Sequence, residues 1–272
     1  LILYSASAGG GISIADLFAA GIVPALLMTL TLMLTGWAIA RRRGYATESL
    51  PGGRAVLVRL VAALPGLLLV ALIFVGIKAG IFTAIESASI AVVYALLVTT
   101  LVYRGLDRHA VLETLCGAAR TTGVILFVIA AATSFGWLLA YLQVPAAAVE
   151  ALRAIADNKY AILMLLNLVL LVLGTFMDLA PLIIICTPIF LPVARAFGID
   201  PLHFGVILIL NGGIGLITPP VGSVLFVGSA IGQISITQAL RSIWPFYLAA
   251  FAVLMLVTYV PALTLWLPAL LK

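Results

Sequence analysis

The sequence predicts an all-α polytopic membrane protein, and three observations carry that reading: its composition, its long apolar runs, and two such runs broken in their middles. Of the 272 residues, 65% are hydrophobic and only 8% are charged, and the mean hydropathy is +1.32. A soluble domain is about half apolar and about a quarter charged, and its exterior must still face water. The arithmetic excludes nucleic-acid binding, a secreted disulfide scaffold and a soluble enzyme.

A membrane helix needs about 20 apolar residues. Runs of that kind fall at 18–40, 60–79, 82–103, 121–143 and 243–268. Between the first two lies a short loop, 41–59, in which Arg41, Arg42, Arg43, Arg54 and Arg59 face a single acid, Glu48. Short basic loops stay in the cytoplasm, which fixes an orientation. Cys116 and Cys186 lie in apolar segments and read as small hydrophobes rather than a disulfide or metal pair. The chain opens on Leu1 inside a small-residue run, LILYSASAGGG, and a missing natural start is expected.

The first broken segment, 159–197, carries GTFMDLAP (Gly174 to Pro181) at its centre. Its arms, Tyr160–Leu173 and Leu182–Phe197, read as too short to cross the ~30 Å hydrocarbon alone. Gly, Asp and Pro at the middle favour a chain reversal, hence a re-entrant helical hairpin; one kinked helix is the plainer alternative. The second, 201–232, carries NGGIGLITPPVG (Asn211 to Gly222). Pro219 and Pro220 lack backbone donors, so the expected structure is a discontinuous helix with carbonyls left for another partner. Secondary transporters build ion and substrate sites from such breaks; packing by small residues explains the glycines but not Thr-Pro-Pro.

An internal repeat connects the two ends of the chain. Leu3, Ser7, Ala8, Gly10, Ile12, Ser13 and Ile14 match Leu225, Ser229, Ala230, Gly232, Ile234, Ser235 and Ile236 at a constant offset of 222. Each block leads into a short amphipathic stretch and then an apolar span with an early proline, Pro24 or Pro245. By this offset the first repeat would have lost most of its length, its own hairpin included. With 41–59 inside, residues 145–158 fall outside, the hairpin enters from that face, and the two repeat tails are inverted, as alternating access requires. Arg104, Arg108 and His109 also fall inside.

Charges within membrane spans are costly and point to function. Asp178, at the hairpin tip beside Gly174, Thr175 and Met177, could attract or ligate a hard cation such as sodium, or cap the second hairpin helix. Thr218 offers a hydroxyl beside the free carbonyls of the break, an oxygen set suited to an alkali cation. Asn211, Pro220 and Ser223 border the same opening and are candidate substrate contacts, with helix N-termini favouring an anion. Glu86 reads as structural, either a cap for the helix beginning near 82 or an anchor for a domain contact, and His203 as an interfacial residue rather than a proton relay. No HExxH, GxSxG or Walker motif and no Cys/His cluster occurs, so neither enzyme chemistry nor ATP hydrolysis is expected, and no cofactor beyond sodium as coupling ion.

The run GTFMDLAPLIIICTPIFLPVARAFGIDPLHFGVILILNGGIGLITPPVG resembles the hairpin and discontinuous helix of the DctM-like large membrane (M) subunit of tripartite ATP-independent periplasmic (TRAP) transporters. FTAIESASIAVVYALLV resembles another span of that family, departing from it at Ala84-Ile85 and Ser87. The resemblance implies an N-terminally truncated inverted-repeat, elevator-type transporter in the bacterial inner membrane. Residues 1–40 and 155–272 would form a mobile transport domain, with the hairpin at 159–197, the broken helix at 201–232 and the last span at 243–268. Residues 60–143 would form a scaffold, with an arm helix at 105–120.

By the same resemblance, Gly174, Thr175, Met177 and Asp178 would face Gly213, Gly215, Thr218 and Pro219 around one sodium ion. Ser5 and Ser7 would survive from the first repeat's site. A small four-helix membrane subunit (Q) and a periplasmic substrate-binding protein (P) would be partners, and the cargo an organic anion: a C4-dicarboxylate, sialic acid or a similar carboxylate. Alternatives are a stand-alone inverted-repeat anion/sodium symporter and a non-transporting membrane scaffold; midplane polar breaks weigh against the scaffold.

Overall fold

The computed structural model describes residues 1–9, 11–44, 52–103, 107–155, 158–219 and 222–271. In chain order the helices are α1 Ile2–Ser7, α2 Ile14–Arg43, α3 Gly53–Lys78, α4 Ala84–Leu97 (continued by a π-helical stretch, Val98–Val102) and α5 Arg108–Tyr141. They continue with α6 Val144–Ile155, α7 Lys159–Phe176, α8 Leu179–Ala196, α9 Pro201–Gly215, α10 Ser223–Ile231, α11 Ile236–Tyr259 and α12 Ala262–Leu271. There is no strand among the described residues. Six helical segments, in α2, α3, α5, α7, α8 and α11, are long and apolar enough to cross a membrane.

The chain divides into two compact units, Leu1–Arg43 with Val124–Lys272, and Gly44–Gly123. In the first, Tyr4, Leu17, Leu163, Leu170, Leu182 and Phe204 belong to one buried cluster fed by α1, α2, α7, α8 and α9. Helix α2 buries small residues, Ala19 and Ala20, and exposes Leu26, Leu30, Met33 and Trp37, the pattern of a helix packed closely on one side and facing lipid on the other. In the second unit, the Tyr94 hydroxyl donates to the Pro65 carbonyl at 2.8 Å and the Tyr103 hydroxyl to Ala62 at 3.3 Å, tying α4 and its π-helical continuation to α3. Thr83 and Glu86 form a reciprocal capping box at the head of α4, which gives Glu86 the capping role expected of it.

Three boundaries differ from the sequence reading. Helices α7 and α8 are 18 residues each, or about 27 Å at ~1.5 Å per residue, so length alone no longer separates a re-entrant hairpin from two crossings. Pro181 lies in the first turn of α8, where its missing N–H would have had no helical partner, and the helix starts before it. The expected arm helix and the span at 121–143 are one continuous helix, α5. The expected last span at 243–268 is two helices: α11 begins at Ile236 because Ser235 Oγ accepts from Gln238 N–H. It stops at Val260, whose backbone (φ −118°, ψ 80°) has left the helical region, as the following Pro261 disfavours helix at the residue before it.

The repeat offset reappears in these caps. Helix α2 begins at Ile14 behind Ser13, whose Oγ accepts from Asp16 N–H at 3.2 Å, and α11 begins at Ile236 behind Ser235, which accepts from Gln238 N–H at 3.3 Å.

Candidate functional site

Two residues, Met177 and Asp178, join α7 to α8. The far ends of the pair also come together, since Lys159 Nζ donates to the Gly198 carbonyl at 3.0 Å. Gly198 adopts the left-handed conformation (φ 69°) that a Schellman ending of α8 requires: its N–H bonds Arg195 O and the Ile199 N–H bonds Ala194 O.

The tip meets the broken helix backbone to backbone. A Cβ placed on Gly215, the last residue of α9, would lie 2.6–2.8 Å from the backbone of Gly174. One on Gly212 would run into the Leu179 side chain at 2.4 Å. Past the break, the Gly222 N–H donates to the Thr175 carbonyl at 3.2 Å. Gly222 itself is left-handed (φ 38°), and a Cβ there would stand 2.8 Å from the Thr218 carbonyl. At Gly215 and Gly222, where backbone faces backbone, only glycine allows these approaches; at Gly212 the neighbour is the end of the Leu179 side chain, which can turn away.

Both tip and break carry a hydroxyl whose proton is already committed. Thr218 Oγ1 donates to Ile214 O at 2.7 Å and Thr175 Oγ1 to Val172 O at 2.7 Å. Their oxygen lone pairs therefore remain for an electron-poor ligand. Asp178 occupies the N-cap position of α8, yet its side chain makes no capping bond to that helix.

Of the thirteen candidate positions, the structure gathers Gly174, Thr175, Met177 and Asp178 on the tip and Gly215 and Thr218 at the break. Pro219 lies exposed in the turn beyond. Gly213 is exposed with nothing near its Cα hydrogen face, so Gly212 is the glycine that meets the hairpin. Pro220 lies outside the described residues, and Ser223 is the first residue of α10.

Ser5 and Ser7 are not at the break. The neighbouring Tyr4 rests on Gly205 and its hydroxyl donates to Pro201 O at 2.7 Å, which puts α1 beside the start of α9. Gly205 is ten residues from Gly215, about 15 Å along the helix. Ser5 is buried and donates to Ile12 O.

Asn211 is also not at an opening. It is fully buried, and its Nδ2 donates to Asn167 Oδ1 and to Ile207 O. Asn167 Nδ2 donates in turn to Thr258 Oγ1 at 2.9 Å. His203 Nε2 lies 3.2 Å from the Thr258 carbonyl and its Nδ1 2.8 Å from Thr264 Oγ1. His203 is thus a core residue bonded to α11 and α12, not the interfacial one expected. Asn211 Oδ1 has no hydrogen-bond donor among the described residues, which ordinarily costs about 1–3 kcal/mol. Sequence reasoning missed Gly212, Gly222, Asn167, Thr258 and Thr264. Asn167 alone carried a signal, as a single amide within the apolar run LMLLNLVLLVL.

Apolar exteriors on six helical segments of spanning length define a multi-pass helical membrane protein. The chain matches the family described as "Tripartite ATP-independent periplasmic transporter, DctM component" over residues 1–263, and it belongs to that family. It is 41% identical to the uncharacterized protein YgiK of Salmonella typhimurium over 99% of this chain and 62% of that protein. It is 40% identical to the sialic acid TRAP transporter large permease protein SiaM of Vibrio cholerae (95% and 60%). With the C4-dicarboxylate TRAP transporter large permease protein DctM of Rhodobacter capsulatus the identity is 37% (95% and 59%).

The chain spans about three fifths of the length of these curated relatives. It is a transporter component rather than an enzyme, and a multi-pass protein of the bacterial inner membrane.

Proposed function

We propose that this chain forms part of the large membrane component of a sodium-coupled importer of small organic anions, working with a small membrane subunit and a periplasmic substrate-binding protein. The observation that carries the reading is the backbone contact of Gly174 with Gly215. Together with the Gly222 N–H bond to the Thr175 carbonyl, it puts Thr175 of the tip and Thr218 of the break on the same contact, each hydroxyl proton turned back to a helix carbonyl, Val172 O and Ile214 O. Oxygen donors without competing protons are what a hard cation prefers, and the Asp178 carboxylate would add attraction from the tip. Helix α10 starts beyond the break, and its N-terminal dipole favours an anion on that side.

The names of relatives bound the cargo to small organic anions: sialic acid, C4-dicarboxylate and 2,3-diketo-L-gulonate are carboxylates, and isethionate is a sulfonate. The shared serine caps at the offset of 222 support an inverted repeat, and Lys159 closing on Gly198 supports a hairpin that returns to the face it entered. A mobile body made of 1–40 and 155–272, moving as an elevator past a scaffold of 60–143, is the mechanism this reading proposes; both parts of that body lie in one compact unit, which also takes in 124–143 of the proposed scaffold.

The test uses the full-length subunit with its small partner in proteoliposomes, following labelled C4-dicarboxylates and sialic acid with and without an inward sodium gradient and the binding protein. Uptake that needs both establishes the reading and names the substrate class. Sodium-driven uptake without the binding protein identifies a stand-alone symporter instead.

A further inference from the structure

We infer that Asn167 and Asn211 form a register pin, positioning residues that hold α7 and α9 at the one axial setting in which the hairpin tip and the helix break build the ion site. The inference rests on the ion-site reading above.

Helix α7 carries Asn167 seven residues before Gly174, and α9 carries Asn211 four residues before Gly215, about 10 Å and 6 Å along their axes. The Asn211 backbone oxygen lies 3.6 Å from the Cβ position of Gly174, so the pin and the glycine contact share one interface. Apolar side chains on two packed helices tolerate sliding; a directed amide pair does not. A one-residue slip, about 1.5 Å, breaks the Asn211–Asn167 bond and also moves Gly215 off Gly174.

The pair is anchored from behind. Asn167 Nδ2 is held by Thr258 Oγ1 on α11, and the Thr258 carbonyl meets His203 of α9. The amide orientations follow from these partners: Asn211 Nδ2 faces two carbonyl-type acceptors, Asn167 Oδ1 and Ile207 O, which leaves Oδ1 as the orphan. Two leucines would fill this buried space with no orphaned acceptor, so stability alone does not favour the amides. A buried polar pair that fixes register at a cost in stability is a recognised device of helix packing.

The experiment measures thermal unfolding of the full-length protein with its small subunit in detergent, titrated with sodium chloride against choline chloride. The baseline midpoint in choline reports folding, and the half-saturating sodium concentration for protection reports the site. Asn167→Leu alone should lower the baseline and raise half-saturation about tenfold. Asn167→Leu with Asn211→Leu should recover the baseline, because both partners become apolar, while half-saturation stays about tenfold raised.

A double variant whose baseline and sodium response both match wild type overturns the pin. Should the double variant not fold, Thr258→Val keeps shape and removes only the hydroxyl behind Asn167; it should lower the baseline, because Asn167 Nδ2 loses its acceptor, and raise half-saturation about threefold, and no rise in half-saturation overturns the inference. Wild-type protein that sodium does not protect overturns the ion-site reading, and the pin with it. Protected wild type with unshifted variants overturns the pin alone.

Discussion

Gly215 and Gly174 touch through their backbones: a Cβ on the first would sit 2.6 Å from the carbonyl carbon and 2.7 Å from the Cα of the second. No side-chain rotation relieves such an overlap, so α9 and the hairpin tip would have to separate.

Gly215→Ala should therefore cost about 1–3 kcal/mol of stability and reduce sodium-driven uptake at least about tenfold. Gly213→Ala, whose methyl meets nothing within 4 Å, should be as stable as wild type or gain up to about 1 kcal/mol from helix propensity. Thermal unfolding of both variants checks the contrast; equal losses would mean that the contact is not tight.

Thr218→Val keeps the shape of the side chain and removes its oxygen. The lost bond to Ile214 O is worth only about 0.6 kcal/mol on the scale of buried membrane hydrogen bonds. Stability should barely move, while the sodium concentration for half-maximal uptake rises about tenfold, as loss of one cation ligand would cause. An unchanged sodium response in proteoliposomes removes Thr218 from the site.

Gly205→Ala drives a methyl to within 2.4–2.9 Å of the Tyr4 ring, and that ring is anchored by its bond to Pro201 O. A stability loss of about 1–3 kcal/mol is expected. The half-saturating sodium concentration should not change, because Gly205 lies about 15 Å along α9 from the tip contact. A large change in sodium response would tie α1 to the ion site after all.

Thr83→Ala removes one half of the capping box on α4 and should cost about 1 kcal/mol. Glu86→Gln should cost less, since an amide still accepts from the Thr83 N–H. Amide exchange at the start of α4 should quicken in the first variant more than in the second.

The elements were legible wherever the signal was local. Gly, Asp and Pro at 174–181 marked the reversal between α7 and α8, and Thr-Pro-Pro at 218–220 marked the end of α9 and the start of α10. The offset of 222 paired Ser13 with Ser235, and the structure shows that both cap helices. What stayed hidden depended on which face a residue turned to its neighbour. Gly212 and Gly213 are adjacent and identical in sequence, yet one meets Leu179 and the other open space, because a helix turns about 100° per residue. Asn211 looked like a lining residue of the break; its side chain instead lies against Asn167, at a separation of 44 residues.

The sequence by itself determined the solvent this protein lives in, its multi-pass helical class, the two places where helices break and its family resemblance, because composition, breakers and motifs need no knowledge of the rest of the chain. Only the tertiary structure decided that Gly174 meets Gly215, that Gly222 closes on Thr175, and that Asn211, Asn167, Thr258 and His203 form one buried chain. Those contacts are set by the crossing of α7, α9 and α11, and a crossing is a property of packed surfaces rather than of any single segment.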